Sequence, residues 1–313
     1  MDVKAGGISG MCVTKAGFRA LKEVSMSMTT RIFALPVFAV FMLVIASSSA
    51  VRAGPSGAEL VQVKLLADVA SVEPGKPFTV GVNFKMAPGW HIYWINPGDS
   101  GQETRVNFTL PPGFTASELK FAVPERIALP GDIISYGYEN EVTLTVTITP
   151  PADLKPGQLI PISAKADWLV CEKICLPGDG EAKLDFPVSE KSEPANAEFF
   201  KQLWFPIKPA ANVSAANVSV EAKPLELTSG KGETEIRVSS EVSGDFEVFP
   251  YPLDNVTILI GKARRDGNVT VIPVSATVLP GQTVSAKTFD VLVVSRTEPN
   301  RFAYDVPVTI VKK

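Results

Sequence analysis

Short segments in which apolar and polar residues alternate most limit what this chain of 313 residues can fold into. In "LVQVKL" (60–65), "TLTVTI" (143–148) and "TEIRVS" (234–239), every second side chain is apolar. A period of two places the apolar side chains on one face of a β-strand. The chain also has 26 Pro and 23 Gly, which form turn signals such as those at 88–89 and 280–281. The pattern predicts an all-β fold built from β-sandwiches.

One segment, "EPANAEFFKQLW" (193–204), interrupts the alternation. Its large apolar residues recur at helical spacing, and they are Phe199, Phe200, Leu203 and Trp204. We expect a linker with a short helix at 191–212. The first sandwich domain then covers 56–190 and the second covers 213–313. The second domain contains no Cys or His.

The N-terminal part has the pattern of a secretory signal. An apolar run of 14 residues (32–45) follows Arg31 and precedes the small residues of "ASSSAVRAG". The run is shorter than the roughly 20 residues that a membrane-spanning helix needs. We therefore expect residues 1–53 to be a leader, with cleavage after Ala50 or Ala53.

The leader is longer than a usual signal peptide, so translation is expected to begin at Met26 or Met28. Cys12 would be absent from the mature protein, which would then contain only Cys171 and Cys175. An exported protein resides where disulfides persist. We expect the mature protein in the periplasm.

Several function classes have little support. A formal net charge of −3 does not indicate a nucleic-acid surface. The only histidine, His91, has no neighbouring ligand in the sequence for a zinc site, which needs four ligands. We expect His91 to be a hydrogen-bonded structural residue. No cofactor is expected.

The two cysteines stand four positions apart in "DWLVCEKICLP" (167–177). Four residues of regular strand span roughly 13 Å, whereas a disulfide needs Cα atoms within about 7 Å. The chain must therefore bend between Cys171 and Cys175. A bridge closing such a short loop contributes only about 2 kcal/mol to stability. A redox-active pair, a structural disulfide and a Cu(I)-binding pair of thiolates all remain open from spacing alone.

The neighbours of the cysteines allow two interpretations. We expect the charge of Lys173 to favour a thiolate at either cysteine and the charge of Glu172 to oppose it. Trp168, Leu169 and Ile174 are either an apolar collar around the pair or ordinary core residues.

Four segments together resemble a known family. They are "PGWHIYWINPGDSG" (88–101), "LPPGFTASELKFAVPERI" (110–127), "SYGYENEVTLTVTI" (135–148) and "ADWLVCEKICLPGDGEAKL" (166–184). Their order resembles that of the periplasmic N-terminal region of DsbD-type thiol:disulfide interchange proteins, which are protein-disulfide reductases. The ScsB-like branch, associated with suppression of copper sensitivity, is the most similar.

The resemblance implies immunoglobulin-like sandwiches, the first of which carries a redox-active pair aligned with Cys171 and Cys175. It implies that a membrane-embedded relay reduces this pair, and that the pair then reduces a periplasmic thioredoxin-fold partner protein. Cys175 aligns with the cysteine that forms the mixed disulfide.

The resemblance also implies a shield over the pair. In the DsbD branch a Phe-Tyr-Gly cap loop provides it, and "SYG" (135–137) is similar to that motif, with Ser135 in place of the phenylalanine. The implied shielding residues are Tyr136, Gly137, Tyr138 and Trp168.

Family members continue into a membrane domain and a thioredoxin-like domain, whereas this sequence ends at Lys313. The expectation is an electron donor supplied in trans, unless the sequence is a fragment. The alternative function is a non-catalytic exported binding module, with bound Cu(I) or a structural disulfide.

Overall fold

The computed structural model describes residues 54–207, 218–241, 244–298 and 301–313. The predicted leader, with both candidate start sites and both candidate cleavage sites, lies outside the described residues. The C-terminal part of the predicted linker, from 208, also lies outside them.

Strands dominate the described residues, and the predicted all-β fold class is confirmed. The strands of the N-terminal region are β1 (Val61–Ala67), β2 (Phe78–Met86), β3 (His91–Gly98), β4 (Arg105–Thr109), β5 (Thr115–Ala116), β6 (Glu125–Leu129), β7 (Ile133–Glu139), β8 (Glu141–Thr149), β9 (Leu159–Cys171) and β10 (Cys175–Pro187). A short helix, α1 (Ala197–Gln202), follows within the predicted linker. The strands of the C-terminal region are β11 (Val218–Ala222), β12 (Leu225–Thr228), β13 (Lys231–Ser240), β14 (Phe246–Pro250), β15 (Val256–Ile260), β16 (Arg264–Asp266), β17 (Val269–Val278), β18 (Thr288–Ser295) and β19 (Phe302–Lys312).

The N-terminal region consists of two sheets that share one core. One sheet has the order β1-β2-β8-β5, and the other has the order β10-β9-β3-β7-β6 with β4 also paired to β9. The alternating residues Leu144, Val146 and Ile148 of β8 are buried in this core, as their period of two predicts. The intervening Thr143 and Thr145 are buried as well. The other face of β8 is therefore covered too.

The C-terminal region has a core of its own. Its nine strands form one hydrogen-bonded sheet with the order β14-β18-β19-β12-β13-β17-β15, in which β11 also pairs with β13 and β16 with β17. The parallel pair β12–β19 joins the two groups of antiparallel strands. Ile236 of β13 and Ile272 of β17 share a core cluster with Val291 of β18 and Val308 of β19. Both groups of strands thus bury their apolar faces against each other.

Residues Pro55–Lys313 form one compact unit, in which the two regions touch through aromatic side chains. The ring of Trp94 on β3 lies 4.8 Å from that of Tyr251 and 6.2 Å from that of Phe249. Asn96 Nδ2 donates a hydrogen bond of 2.7 Å to the carbonyl oxygen of Pro250. The C-terminal region therefore supports the inner side of strand β3. The exact domain boundaries remain a prediction.

None of the helices in the described residues is long and apolar enough to cross a membrane.

Candidate functional site

The cysteine pair lies at the closed end of the β9–β10 hairpin. Cys171 is the last residue of β9, Cys175 is the first of β10, and the two face each other in the antiparallel register. Their Cα atoms are 4.2 Å apart and a disulfide joins them. The backbone N–H of Glu172 donates to the carbonyl oxygen of Ile174 across the turn, at 3.1 Å. The bend predicted between the cysteines is confirmed.

The two cysteines differ sharply in their exposure. Cys171 is only 2% exposed, whereas Cys175 is exposed to solvent. Ile174, at the tip of the hairpin, is 61% exposed. Cys175 and Ile174 are therefore the accessible side chains at the hairpin tip, while Cys171 is buried.

Lys173 also lies at the hairpin tip. Its ammonium group is 3.8 Å from a carboxylate oxygen of Glu172, and both side chains are largely exposed. Solvent weakens such a pair and the field it exerts on the nearby sulfurs. Tuning of the thiolate by Lys173 remains a prediction.

Strand register decides which side chains share a face with the disulfide. His91 of β3 is opposite Cys171 of β9, and on its other side it is opposite Glu139 of β7. Because side chains alternate between faces, Tyr93 lies on the same outer face as His91. Ile92, between them, belongs to the core.

A hydrogen-bond chain runs along this outer face to the disulfide. The Tyr93 hydroxyl oxygen lies 3.8 Å from Cys175 Sγ and 3.3 Å from His91 Nε2. Both Tyr93 and His91 are buried. The hydrogen bond expected of His91 is present, and its structural role stays a prediction. Tyr93 is a site residue that the sequence analysis does not identify.

A loop at 99–104 covers the ring of Tyr93. A Cβ added at Gly101, where φ is +109°, would lie 2.2 Å from Cε1 of Tyr93. Thr104 Oγ1 donates a hydrogen bond of 2.9 Å to the carbonyl oxygen of Tyr93, and Ser135 Oγ donates to that of Ser100 at 3.2 Å. The close approach of the loop backbone requires glycine at position 101.

The aromatic residues predicted to shield the disulfide lie elsewhere. Tyr138 is opposite Ile92, on the core face, and donates a hydrogen bond of 2.7 Å to the carbonyl oxygen of Ala122. Tyr136 shares that face and packs on Phe249, with ring centroids 5.1 Å apart. Their placement does not support the predicted shield, because the cysteines lie on the opposite face.

Trp168 likewise belongs to the core. Its indole nitrogen donates to the carbonyl oxygen of Gly57 at 3.2 Å, and its ring lies 5.9 Å from that of Phe84. Among the four predicted shielding residues, Gly137 shares the outer face, opposite Tyr93. A Cβ at Gly137 would lie 2.2 Å from the carbonyl oxygen of Ile92, so this position also requires glycine.

Burial shifts the acid–base equilibria of the chain. It lowers the pKa of His91 below its ordinary value, an effect that the nearby Glu139 carboxylate partly opposes. It raises the pKa of the Tyr93 hydroxyl, and interaction with the side chain of Ser135 partly opposes this rise. Desolvation thus favours the neutral form of both groups at neutral pH.

The described part of the chain contains no group of three or more His, Cys, Asp and Glu side chains that could hold a metal ion. The two cysteines alone are the ligands that the Cu(I) alternative would use.

Comparison with known proteins places the hairpin within a recognised domain. Residues 58–187 match the model of the family "Thiol:disulfide interchange protein DsbD, N-terminal". The resemblance found in the sequence is confirmed over this range. No curated protein is similar enough to the chain to count as a relative.

One solved structure shares the fold over most of the chain. It is the N-terminal periplasmic domain of ScsB from Proteus mirabilis, with a TM-score of 0.57 and 19% sequence identity. The match covers 83% of this chain and 97% of that chain. A second structure, the major pilin subunit BcpA of Bacillus cereus, has a TM-score of 0.26 at 11% identity over 80% of this chain and 69% of that chain, a value too low to indicate a shared fold.

Proposed function

We propose that Cys171 and Cys175 carry electrons to the disulfides of periplasmic partner proteins, since residues 58–187 match the DsbD N-terminal family. The observation that carries the proposal is the difference in exposure within one disulfide. Cys175 is exposed and Cys171 is buried. Attack on a partner needs one accessible thiolate, and resolution needs a second thiol within bonding distance.

The hairpin supports repeated oxidation and reduction. The β9–β10 ladder runs without interruption from the cysteine pair to Leu159 and Pro187. We expect this ladder to keep the two cysteines opposite each other after the disulfide is reduced. Re-formation of the bond therefore needs little rearrangement.

The reaction proceeds in two exchanges. The Cys175 thiolate attacks a partner disulfide, so a Cys175–partner bond forms while the partner's S–S bond breaks and its leaving sulfur takes the electron pair. The Cys171 thiolate then attacks Cys175 Sγ, which re-forms the internal disulfide and releases the second partner sulfur as a thiolate. Two electrons pass to the partner, and two protons from the solvent neutralise its thiolates.

The surroundings of this reaction follow from the same family relationship. We place the protein in the periplasm, with a membrane-embedded electron donor that returns the pair to the dithiol. The acceptor is a thioredoxin-fold protein with a disulfide. The exposed Ile174 beside Cys175 gives such a partner an apolar contact at the hairpin tip.

Direct electron transfer tests the proposal. The protein is reduced, freed of reductant and mixed with an oxidised periplasmic thioredoxin-fold protein. Thiols on both proteins are then counted by alkylation and mass spectrometry. Two thiols should appear on the partner while Cys171 and Cys175 lose theirs, and the double variant Cys171→Ala/Cys175→Ala should transfer nothing.

The opposite result identifies a structural bridge. If the reduced wild-type protein keeps both thiols in the presence of every oxidised thioredoxin-fold partner tested, the exchange function is wrong.

A further inference from the structure

We infer that Tyr93, itself held by His91, donates a hydrogen bond that stabilises the attacking thiolate of Cys175. The inference rests on the proposed function, because it concerns the thiolate that this function uses. Tyr93 is thus a positioning and tuning residue, in contact with the reacting sulfur. Three features support this role: the direction of the hydrogen bonds, the rigid position of the Tyr93 ring, and the weakness of other hydrogen-bond donors or cations near Cys175.

The number of protons limits the directions that this chain can take. In the disulfide, Cys175 Sγ carries no proton, so in a hydrogen bond across the 3.8 Å contact the Tyr93 hydroxyl is the donor. The hydroxyl has only one proton. With that proton assigned to the sulfur, the Tyr93 oxygen accepts at the 3.3 Å contact with His91. We therefore assign the proton of neutral His91 to Nε2.

The same arrangement suits the reduced state. A thiolate accepts hydrogen bonds, and a bond to an ionised group is stronger than one between neutral groups. The neutral form of His91 already supplies the Nε2 proton that the chain needs, so no proton has to move when the thiolate forms. When Cys175 Sγ bonds to a partner sulfur, Sγ loses its negative charge. The hydrogen bond from the Tyr93 hydroxyl to Sγ then becomes weaker, and no proton is transferred.

The ring of Tyr93 is held independently of the disulfide. The loop backbone at Gly101 rests against it on one side, and Thr104 binds its main-chain oxygen. On β7, Gly137 occupies the position opposite Tyr93. Reduction of the disulfide therefore leaves the hydroxyl next to Cys175, and a preorganised donor loses little entropy on binding the thiolate.

Other groups around Cys175 are weaker candidates for the same role. Lys173 is 87% exposed and pairs with Glu172, so solvent screens its charge. The titratable and charged groups that the strand register places on this face are His91 and Tyr93 of β3, Glu125 of β6, Glu139 of β7, Cys171 of β9, Glu172 and Lys173 of the turn, and, farther from the pair, Asp167 and Asp179 of β9 and β10 and Arg105 of β4, which pairs with Glu103. The acidic members oppose a thiolate, which makes the neutral donor of Tyr93 the main stabilising group.

The test compares Tyr93→Phe with Tyr136→Phe in the full chain. Both variants remove one phenolic hydroxyl from the same sheet, but Tyr136 lies on the opposite face. The rate at which iodoacetamide alkylates Cys175 in the reduced protein is followed against pH by peptide mass spectrometry. Tyr93→Phe should raise the pH at which the alkylation rate of Cys175 is half-maximal by about one pH unit, which corresponds to about ten-fold less thiolate at neutral pH. Tyr136→Phe should leave this midpoint unchanged.

A second measurement removes the coupling between the two thiols. In a Cys171→Ala background the ultraviolet absorbance of the remaining thiolate is titrated with and without Tyr93→Phe. The same upward shift is expected. An unchanged midpoint in both measurements, with both variants folded, would overturn the inference.

These outcomes are separate from those of the proposed function, because alkylation needs no partner protein. If wild-type protein reduces its partner while Tyr93→Phe leaves the midpoint unchanged, the inference fails and the proposed function stands. If the midpoint shifts but wild-type protein reduces no partner, the hydrogen bond stands and the exchange function fails.

Discussion

Cys171 and Cys175 face each other across the end of one antiparallel hairpin, with Cα atoms 4.2 Å apart, yet only Cys175 reaches solvent. The difference arises because β9 lies inside its sheet, between β10 and β3, whereas β10 is at the edge. A single edge hairpin thus provides an accessible sulfur and a protected one.

Loss of the disulfide should leave the domain folded. The bridge closes a short loop, so the double variant Cys171→Ala/Cys175→Ala should lose about 2 kcal/mol of unfolding free energy. Denaturant unfolding of this variant and of the oxidised wild-type protein measures the difference. A variant that does not fold at physiological temperature would indicate that the disulfide is a structural requirement.

Replacement of Gly101 by alanine should disturb Tyr93. The new Cβ would overlap the Tyr93 ring, and the φ of +109° at position 101 would strain an alanine. We therefore expect lower stability together with slower alkylation of Cys175 at neutral pH. Gly131→Ala is the matched control, since φ there is +87° and no atom lies within 4 Å of the added Cβ. The control carries the backbone strain alone. Equal effects of the two substitutions on Cys175 would contradict the role of the loop.

The stability of the protein should fall in mild acid because of His91. Burial lowers the pKa of His91 in the folded protein below its ordinary value of 6.5, so between the folded and unfolded pKa values the unfolded chain binds more protons. Linkage then requires stability to decrease as pH falls below about 6.5. Unfolding measurements at several pH values, with His91→Gln for comparison, test this. In His91→Gln the unfolding free energy should depend less steeply on pH below about 6.5. An equal dependence in the variant and the wild-type protein would show that His91 is not the cause.

The sequence predicts the architecture well because its strands obey simple alternation. The residues of β8 and the bend between the cysteines follow from a period of two and from the length of a strand. The location of Cys171 and Cys175 as the candidate site also follows from the sequence. These features depend on neighbours along the chain.

The surroundings of the site depend on register between distant strands, which local patterns do not contain. The resemblance implies that Tyr136 and Tyr138 shield the cysteines, but the pairing of β7 with β3 turns both side chains toward the core. Tyr93 reaches Cys175 over 82 positions of sequence. The sequence signal that points to Tyr93 is its spacing of two residues from His91, because this spacing places both side chains on one face of β3. The signal is useful only once β3 is known to lie beside β9.

The reduction potential of the Cys171–Cys175 pair distinguishes a disulfide that exchanges with partner proteins from a structural disulfide. Structural disulfides have potentials below about −300 mV, whereas exposed exchanging pairs are less reducing. We expect a value above that limit, because Cys175 is open to solvent and the loop is short. Equilibration with dithiothreitol or glutathione buffers, followed by alkylation, measures it, and a value well below the limit would favour a structural bridge.

Trapping of the mixed disulfide tests the central claim most directly. Cys171→Ala and Cys175→Ala are each incubated with an oxidised thioredoxin-fold periplasmic protein and separated on non-reducing gels. Cys171→Ala should accumulate a covalent complex through Cys175, because the resolving thiol is absent, and Cys175→Ala should give little, because Cys171 is only 2% exposed in the wild-type structure. A complex formed by Cys175→Ala but not by Cys171→Ala would contradict the assigned roles, and no complex with either variant would contradict the exchange function itself.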